Sequence, residues 1–217
     1  MLLRHALEGD EAVRAGRQME MKERCMVEGI TELSACKVGL VGFGDIARAA
    51  AERLVPFGCE LYYYTKHRRL PEEEKKYHVT YLPLEELAEK SDIVSLHCAV
   101  TEETRNLVDA ALLRRMKPTA YLINTARGAL VDEEALAQAL RGGKLKYACL
   151  DVTDPEPPAA DSSLRGIPNC IMTPHLAGLA NNGKLKIGAH VADEIGRFLT
   201  GGALVSEITQ AMLATIA

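Results

Sequence analysis

The stretch Lys37-Val38-Gly39-Leu40-Val41-Gly42-Phe43-Gly44-Asp45-Ile46-Ala47 passes from a short apolar run into a glycine turn and then into a helical period. Its pattern is GxGxxA. Gly42 permits a tight turn, Gly44 lets another group approach the backbone, and Ala47 is small enough for a helix to pack closely on a strand. The N–H groups at the start of that helix, around Asp45 and Ile46, have no acceptor within the helix and favour an anion. A glycine-rich turn without a ligand has the same letters. This one follows a strand, opens a helix and sits in a strand–helix–strand unit, so it predicts a bound dinucleotide with its pyrophosphate on the turn.

Outward from this stretch, apolar runs recur at 61–64, 93–97, 121–124, 147–151 and 171–173, flanked by glycine or proline. They lack strict alternation, as strands buried on both faces of a parallel sheet do. Helical periods lie between them. Asp132 is placed to cap a helix, with Glu133 and Glu134 in its first turn and Gly142 at its end. A shorter helix opens after Pro83. Ile187, Val191, Ile195, Phe198 and Leu199 trace the expected buried stripe of a last helix that ends at Gly201-Gly202. Alternating strands and helices predict an α/β, Rossmann-type doubly wound parallel sheet with helices on both faces. The expected division is a helical arm over 1–36, a dinucleotide-binding unit over 37–202 and a tail over 203–217.

The 217 residues are 47% hydrophobic and 26% charged, with a formal net charge of −4. That balance excludes a disordered chain and a coiled coil, and the charge argues against nonspecific nucleic-acid binding. No apolar run approaches the roughly 18 residues of a membrane span. Arg4, Glu8, Asp10 and Glu11 interrupt the N-terminus, so no signal-peptide core is read there and a cytoplasmic location is expected. None of the six cysteines forms a CxxC pair; they are expected to be reduced thiols, and no metal site is expected.

The second apolar run ends in Thr65-Lys66-His67-Arg68-Arg69. A carboxylate there would accept from a ribose 2′-hydroxyl. A hydroxyl followed by cations favours a 2′-phosphate instead, so Thr65, Lys66 and Arg68 favour NADP over NAD. A solvated basic turn is the plainer alternative.

Three further segments sit where strands deliver their carboxyl ends to a ligand crevice. They are Asn124-Thr125-Ala126-Arg127-Gly128, Leu150-Asp151-Val152-Thr153-Asp154-Pro155-Glu156-Pro157 and Thr173-Pro174-His175-Leu176-Ala177-Gly178. Arg127, Glu156 and His175 each have an ordinary reading alone, as a loop cation, a solvated acid and a satisfied histidine. Together they match the needs of 2-keto acid reduction: a guanidinium for the substrate carboxylate, an imidazolium for the carbonyl oxygen, and a carboxylate to orient the imidazole.

With VGFGDIARA, HCAVTEETRNLVD, MKPTAYLINTARGALVDEEAL, CLDVTDPEP and PNCIMTPHLAG in that order, the chain resembles the D-isomer-specific 2-hydroxyacid dehydrogenases from about Ala12 to Gly202. The resemblance implies Arg127 as the substrate-binding residue, His175 as the acid/base and Glu156 as its partner. It implies Asp45 and Ile46 at the pyrophosphate and Thr65 in the place of the family's ribose-reading Asp. Ala99 and Thr104 would line the adenosine side, Thr125 and Ala126 the nicotinamide side, Asp151 would hold the carboxamide, and Gly178 would lie near His175. His97 reads as a structural residue at a strand end.

Ala99 stands where the family usually has proline, and Leu179-Ala180 follow Gly178 where it often has threonine. In this family a smaller flavodoxin-like domain comes first and supplies backbone amides to the substrate. Here that domain is almost wholly missing, and the tail over 203–217 would return to it. The resemblance also implies a homodimer and a small 2-hydroxy or 2-keto acid as substrate. A dinucleotide-sensing corepressor-like module and a dehydrogenase of phosphite or another small anion remain as alternatives. The expectation is a chain that binds dinucleotide and turns over keto acids slowly.

Overall fold

The computed structural model describes residues 2–212; the last five residues of the expected tail, 213–217, lie outside the described residues. Among the described residues seven strands are formed: β1 Lys37–Val41, β2 Glu60–Tyr64, β3 Val79–Tyr81, β4 Ile93–Leu96, β5 Tyr121–Asn124, β6 Tyr147–Leu150 and β7 Cys170–Met172. The α-helices among them are α1 Ala6–Arg14, α2 Gln18–Glu28, α3 Asp45–Leu54, α4 Pro71–Tyr77, α5 Leu84–Lys90, α6 Ala110–Arg115, α7 Glu133–Arg141 and α8 Asn181–Leu199. The sheet is parallel throughout and runs in the order β3-β2-β1-β4-β5-β6-β7. Strand order therefore reverses between β1 and β4, and a ligand crevice opens at the carboxyl ends beside that switch point.

The two-residue period of the strands divides the core. Val38, Leu40, Leu61, Tyr63 and Tyr121 pack with Ala47 and Ala51 of α3 and Tyr77 of α4. Val41, Tyr62, Val94, Leu96 and Leu122 pack with Leu87 of α5, Leu112 and Leu113 of α6 and Leu136 and Leu140 of α7. Asp132 caps α7 as its sequence requires, accepting from the Ala135 N–H at 3.0 Å. Asp109 does the same for α6. Ahead of the sheet, Glu8 on α1 accepts from the Tyr147 hydroxyl of β6 and pairs with Arg24 of α2 at 3.1 Å. The helical arm is thus tied to the sheet through the half-buried Glu8 and Tyr147.

β3 is an addition to the sequence reading: three residues at the sheet edge are too few for a period to show. α8 forms over the expected residues and ends before Gly201, whose φ of +71° suits the turn that closes a helix. Its apolar stripe is not buried, however. Ile187 is 66% exposed and Phe198 71%, and the helix has no buried residue. The stripe has the right spacing, but the described residues place no element over it. Instead the chain turns back on the polar side, where Val205 and Ser206 N–H groups donate to Glu194 at 3.0 and 2.9 Å. The sheet face beyond β1 is likewise only partly covered. A cleft of about 900 Å³ lies there against Ile93, Tyr121, Ile123 and Cys149.

Candidate active site

The glycine turn is held by contact rather than by hydrogen bonds alone. Gly42 has φ +90°, and a Cβ on it would lie 2.6 Å from the Cys98 nitrogen and 2.7 Å from the His97 carbonyl carbon. No larger residue lets β1 leave the sheet this close to the end of β4. Gly44 precedes α3 with nothing within 4 Å of where its Cβ would be, which leaves room for a phosphate at the helix start. Asp45 and Ile46 are exposed there, and Asp45 pairs with Arg48 at 3.1 Å.

Gly42, Thr65, Lys66, Ala99 and Thr104 line one groove of about 550 Å³ between the ends of β1, β2 and β4. Thr104 shapes it: its hydroxyl donates to the Ala99 carbonyl at 2.7 Å and accepts from the Thr101 N–H at 2.7 Å. These residues and the open glycine turn fit the adenosine half of a dinucleotide. Two expected cations are already paired with carboxylates. Lys66 pairs with Glu103 at 2.6 Å and Arg68 with Glu74 at 2.8 Å. His97, at the end of β4, bonds Ser95 Oγ at 3.0 Å, and burial pulls its imidazole down to about 4. Burial also pushes the Cys98 thiol up to about 11, so it is no nucleophile at neutral pH.

The three strand-end segments meet at the carboxyl edge of β5, β6 and β7. After β5, the buried Asn124 side chain accepts from the Ala126 N–H at 3.0 Å and donates to the Arg127 carbonyl at 2.9 Å. That turn leaves Arg127 exposed, with Nη1 donating to the Ala126 carbonyl at 2.7 Å. Both Ala126 backbone groups are therefore engaged, and Thr125 is the exposed member of the pair. After β6 and β7, Glu156 and His175 meet: Oε1 lies 2.7 Å from Nδ1. His175 is held at φ +53°, an uncommon conformation for a residue with a Cβ.

Asp151 explains how the turn around His175 holds. Its backbone carbonyl accepts from the His175 N–H at 2.9 Å. Its buried carboxylate accepts from Thr173 Oγ1 at 2.5 Å, Leu176 N–H at 2.9 Å and Ala177 N–H at 2.7 Å. Burial alone would push this carboxyl up. The Thr173, Ala177 and Leu176 donors and the nearby His175 outweigh burial and hold it below the usual carboxylate range. Asp151 and Thr125 also line one end of the apolar cleft. Gly178 is exposed beyond this turn, with nothing within 4 Å of where its Cβ would be.

Three contributors escaped sequence reading. Thr173 braces Asp151. Gly128 lets the β5 turn press against the β6 turn, since a Cβ on it would lie 2.0 Å from the Thr153 carbonyl carbon. Arg69 reaches back to the glycine turn, its Nη2 3.3 Å from the Phe43 carbonyl oxygen. Nothing in the residue types marks Gly128 or Arg69 out from their neighbours.

A doubly wound sheet with a glycine turn at its switch point, and a carboxylate–imidazole pair on the same edge, defines a dinucleotide-binding α/β unit. The chain belongs to the D-isomer specific 2-hydroxyacid dehydrogenases, an oxidoreductase family whose NAD binding domain matches residues 1–177. It is 38% identical over 198 residues to a glyoxylate reductase of Korarchaeum cryptofilum, covering 91% of this chain and 59% of that protein. It is 41% identical over 170 residues to the (S)-sulfolactate dehydrogenase of Chromohalobacter salexigens, covering 77% of this chain and 54% of that one. The crystal structure of apo D-mandelate dehydrogenase from Rhodotorula graminis superposes with a TM-score of 0.87 at 30% identity, over 96% of this chain and 61% of the other. The chain thus spans little more than half the length of these relatives.

Proposed function

We propose that this chain is the dinucleotide-holding part of an oxidoreductase acting on the CH–OH group of a small 2-hydroxy acid. The carrying observation is the 2.7 Å contact between His175 and Glu156 on the edge that also presents Arg127. A nicotinamide dinucleotide, when bound, supplies the hydride equivalent that reduces the keto carbon. The chain's own residues do the rest. The glycine turn and the first N–H groups of α3 bind the pyrophosphate. Arg127 offers a planar fork to the substrate carboxylate. With Nδ1 held by Glu156, His175 turns Nε2 outward, where a protonated ring donates to the carbonyl oxygen. Asp151 positions that ring through the backbone of its turn and has one carboxylate lone pair, on Oδ2, left for a carboxamide N–H.

Both Arg127 and His175 are open to solvent. Fast reduction needs the keto acid held at near-attack distance with water excluded, and domain closure provides both. The uncovered stripe of α8 and the apolar cleft offer a second domain its seat in the two-domain reading. A cytoplasmic, two-fold dimeric protein preferring NADP over NAD completes the proposal; sedimentation at micromolar concentration tests the dimer. Assays on glyoxylate, hydroxypyruvate and pyruvate with NADH and NADPH test the function. The chain should bind dinucleotide and reduce these acids far below the common range of about 1–10³ s⁻¹. Failure to bind either dinucleotide would overturn the proposal, and rates within that range would overturn the part assigned to closure.

A further inference from the structure

Cys36 and Cys59 stand at the same level of neighbouring strands. β1 pairs with β2 in parallel from Lys37 opposite Glu60, and each cysteine is the residue just before. The ladder holds at that level, since the Glu60 N–H donates to the Cys36 carbonyl at 3.3 Å. Adjacent strands lie about 4.8 Å apart, inside the Cα separation of roughly 4.4–6.8 Å that a disulfide spans. Both side chains also share a face. Alternation sets Cys36 with Val38 and Leu40, and Cys59 with Leu61 and Tyr63, and all of them pack in one core cluster.

The two sulfurs converge on consecutive backbone carbonyls. Cys36 Sγ donates to the Glu32 carbonyl at 3.5 Å, and Cys59 Sγ to the Leu33 carbonyl at 3.2 Å. Both carbonyls lie at the start of the single turn, Leu33–Ala35, that leads the arm into β1. Both thiols are free; Cys36 is buried and Cys59 half-buried. Cys59 follows Gly58, whose φ of +79° turns the chain into β2. The other four cysteines make no such pair. Cys149 and Cys170 are on neighbouring strands, but the register sets Ala148 against Cys170. Cys149 therefore faces the apolar cleft, and Cys170 packs on the opposite core cluster. Cys25 lies on α2, and Cys98 lies just beyond β4.

We propose that Cys36 and Cys59 form a reversible dithiol–disulfide site whose oxidation staples β1 to β2. The co-reactant is a small disulfide of the glutathione class. The half-buried Cys59 gives up its proton and attacks one sulfur of that disulfide, so a mixed disulfide forms and one thiolate leaves. Cys36, closed to the bulky reagent but not to its neighbour, then gives up its proton and attacks Cys59 Sγ, displacing the second thiolate. The cysteine pair is oxidised, the small disulfide is reduced, and the protons end on the released thiols. Burial leads the influences that push both thiols up, so exchange is slow at neutral pH and quickens as pH rises. The new bond closes a ring through β1, the glycine turn and α3. It forms at the amino ends of the strands and stands whether or not a dinucleotide binds.

Incubation of the purified chain with oxidised glutathione at mildly alkaline pH, followed by intact mass and non-reducing peptide mapping, tests the site. The mass should fall by two hydrogens, a 36–59 linkage should dominate the map, and dithiothreitol should reverse both. Cys36→Ser should stop at a glutathione adduct on Cys59. Cys59→Ser should leave Cys36 with neither adduct nor link. Cys149→Ser should oxidise as the unchanged chain does. The sheet of the linked chain should melt about 4 °C or more above that of the reduced chain. Scattered glutathione adducts alone, a dominant link between other cysteines, or a 36–59 link formed only after denaturation overturns the site. A linked chain that melts no higher than the reduced one overturns the staple.

Discussion

His175 Nδ1 faces Glu156 Oε1 at 2.7 Å, although 19 residues separate them and each belongs to a different strand end. The carboxylate accepts only, so the neutral ring must carry its proton on Nδ1 and leave Nε2 bare toward the crevice. Nitrogen NMR of the imidazole should show the Nδ1–H tautomer dominating in the unchanged chain. Glu156→Gln supplies an acceptor and a donor at the same place, so the tautomers should become mixed without loss of fold. A Glu156→Gln spectrum identical to that of the unchanged chain would mean the contact does not orient the ring.

Removing the Asp151 carboxylate should loosen the turn it gathers. Asp151→Asn keeps the size but gives up one acceptor oxygen of a group taking three hydrogen bonds. The expected cost is about 1–3 kcal/mol at neutral pH, with faster amide exchange at Leu176 and Ala177. The pH dependence has a definite sign. A carboxyl held below its ordinary value in the folded state contributes stability above its unfolded pKa, near 3.9, and loses that contribution as pH falls through the lower folded value. Acid unfolding curves of Asp151→Asn should lack this component.

His97 gives a separate pH signature. Burial pulls its folded pKa to about 4, against about 6.5 in an unfolded chain. The unfolded state therefore binds the extra proton first, and stability should decline as pH falls from about 6.5 to about 4, by up to roughly 3 kcal/mol. Replacing His97 with Gln should flatten the decline in denaturant melts across that window. An equally steep decline in the variant would place the proton elsewhere.

Gly128→Ala should be costly, because Gly128 is buried where two turns meet. The added methyl would lie 2.0 Å from the Thr153 carbonyl carbon and 2.2 Å from its oxygen, both backbone atoms. One of the two turns must move, at an expected cost of about 1–3 kcal/mol in thermal or denaturant unfolding. A variant as stable as the parent would show that the turns part without strain.

Sequence patterns carry the strands of this sheet well where each is an apolar run bounded by glycine or proline. β3 fails because Val79–Tyr81 is short, includes a half-exposed edge and follows the charged helix α4. The stripe on α8 illustrates a different limit. Spacing reveals that Ile187, Val191 and Ile195 share a helix face, but not whether anything in the same chain covers it. The β2 turn is a third case. Lys66, Arg68 and Arg69 look equivalent as letters, and only folding brings Glu103 to the first and Glu74 to the second. By contrast, the meeting of Glu156 and His175 is legible, because strand ends in a parallel sheet converge on one edge.

The bare helix α8 has a thermodynamic consequence. It buries no residue, so its stability comes from local hydrogen bonds rather than from tertiary packing. In proteins most helical stability comes from packing of an apolar face, and the described residues leave that face of the 19-residue α8 uncovered. The chain should therefore lack a single melting unit: amides in β1, β4 and β5 should exchange only through global unfolding, while those of α8 open and close on their own. A two-tier exchange profile, with its step between β7 and α8, would make this helix an almost independent passenger on a cooperative sheet.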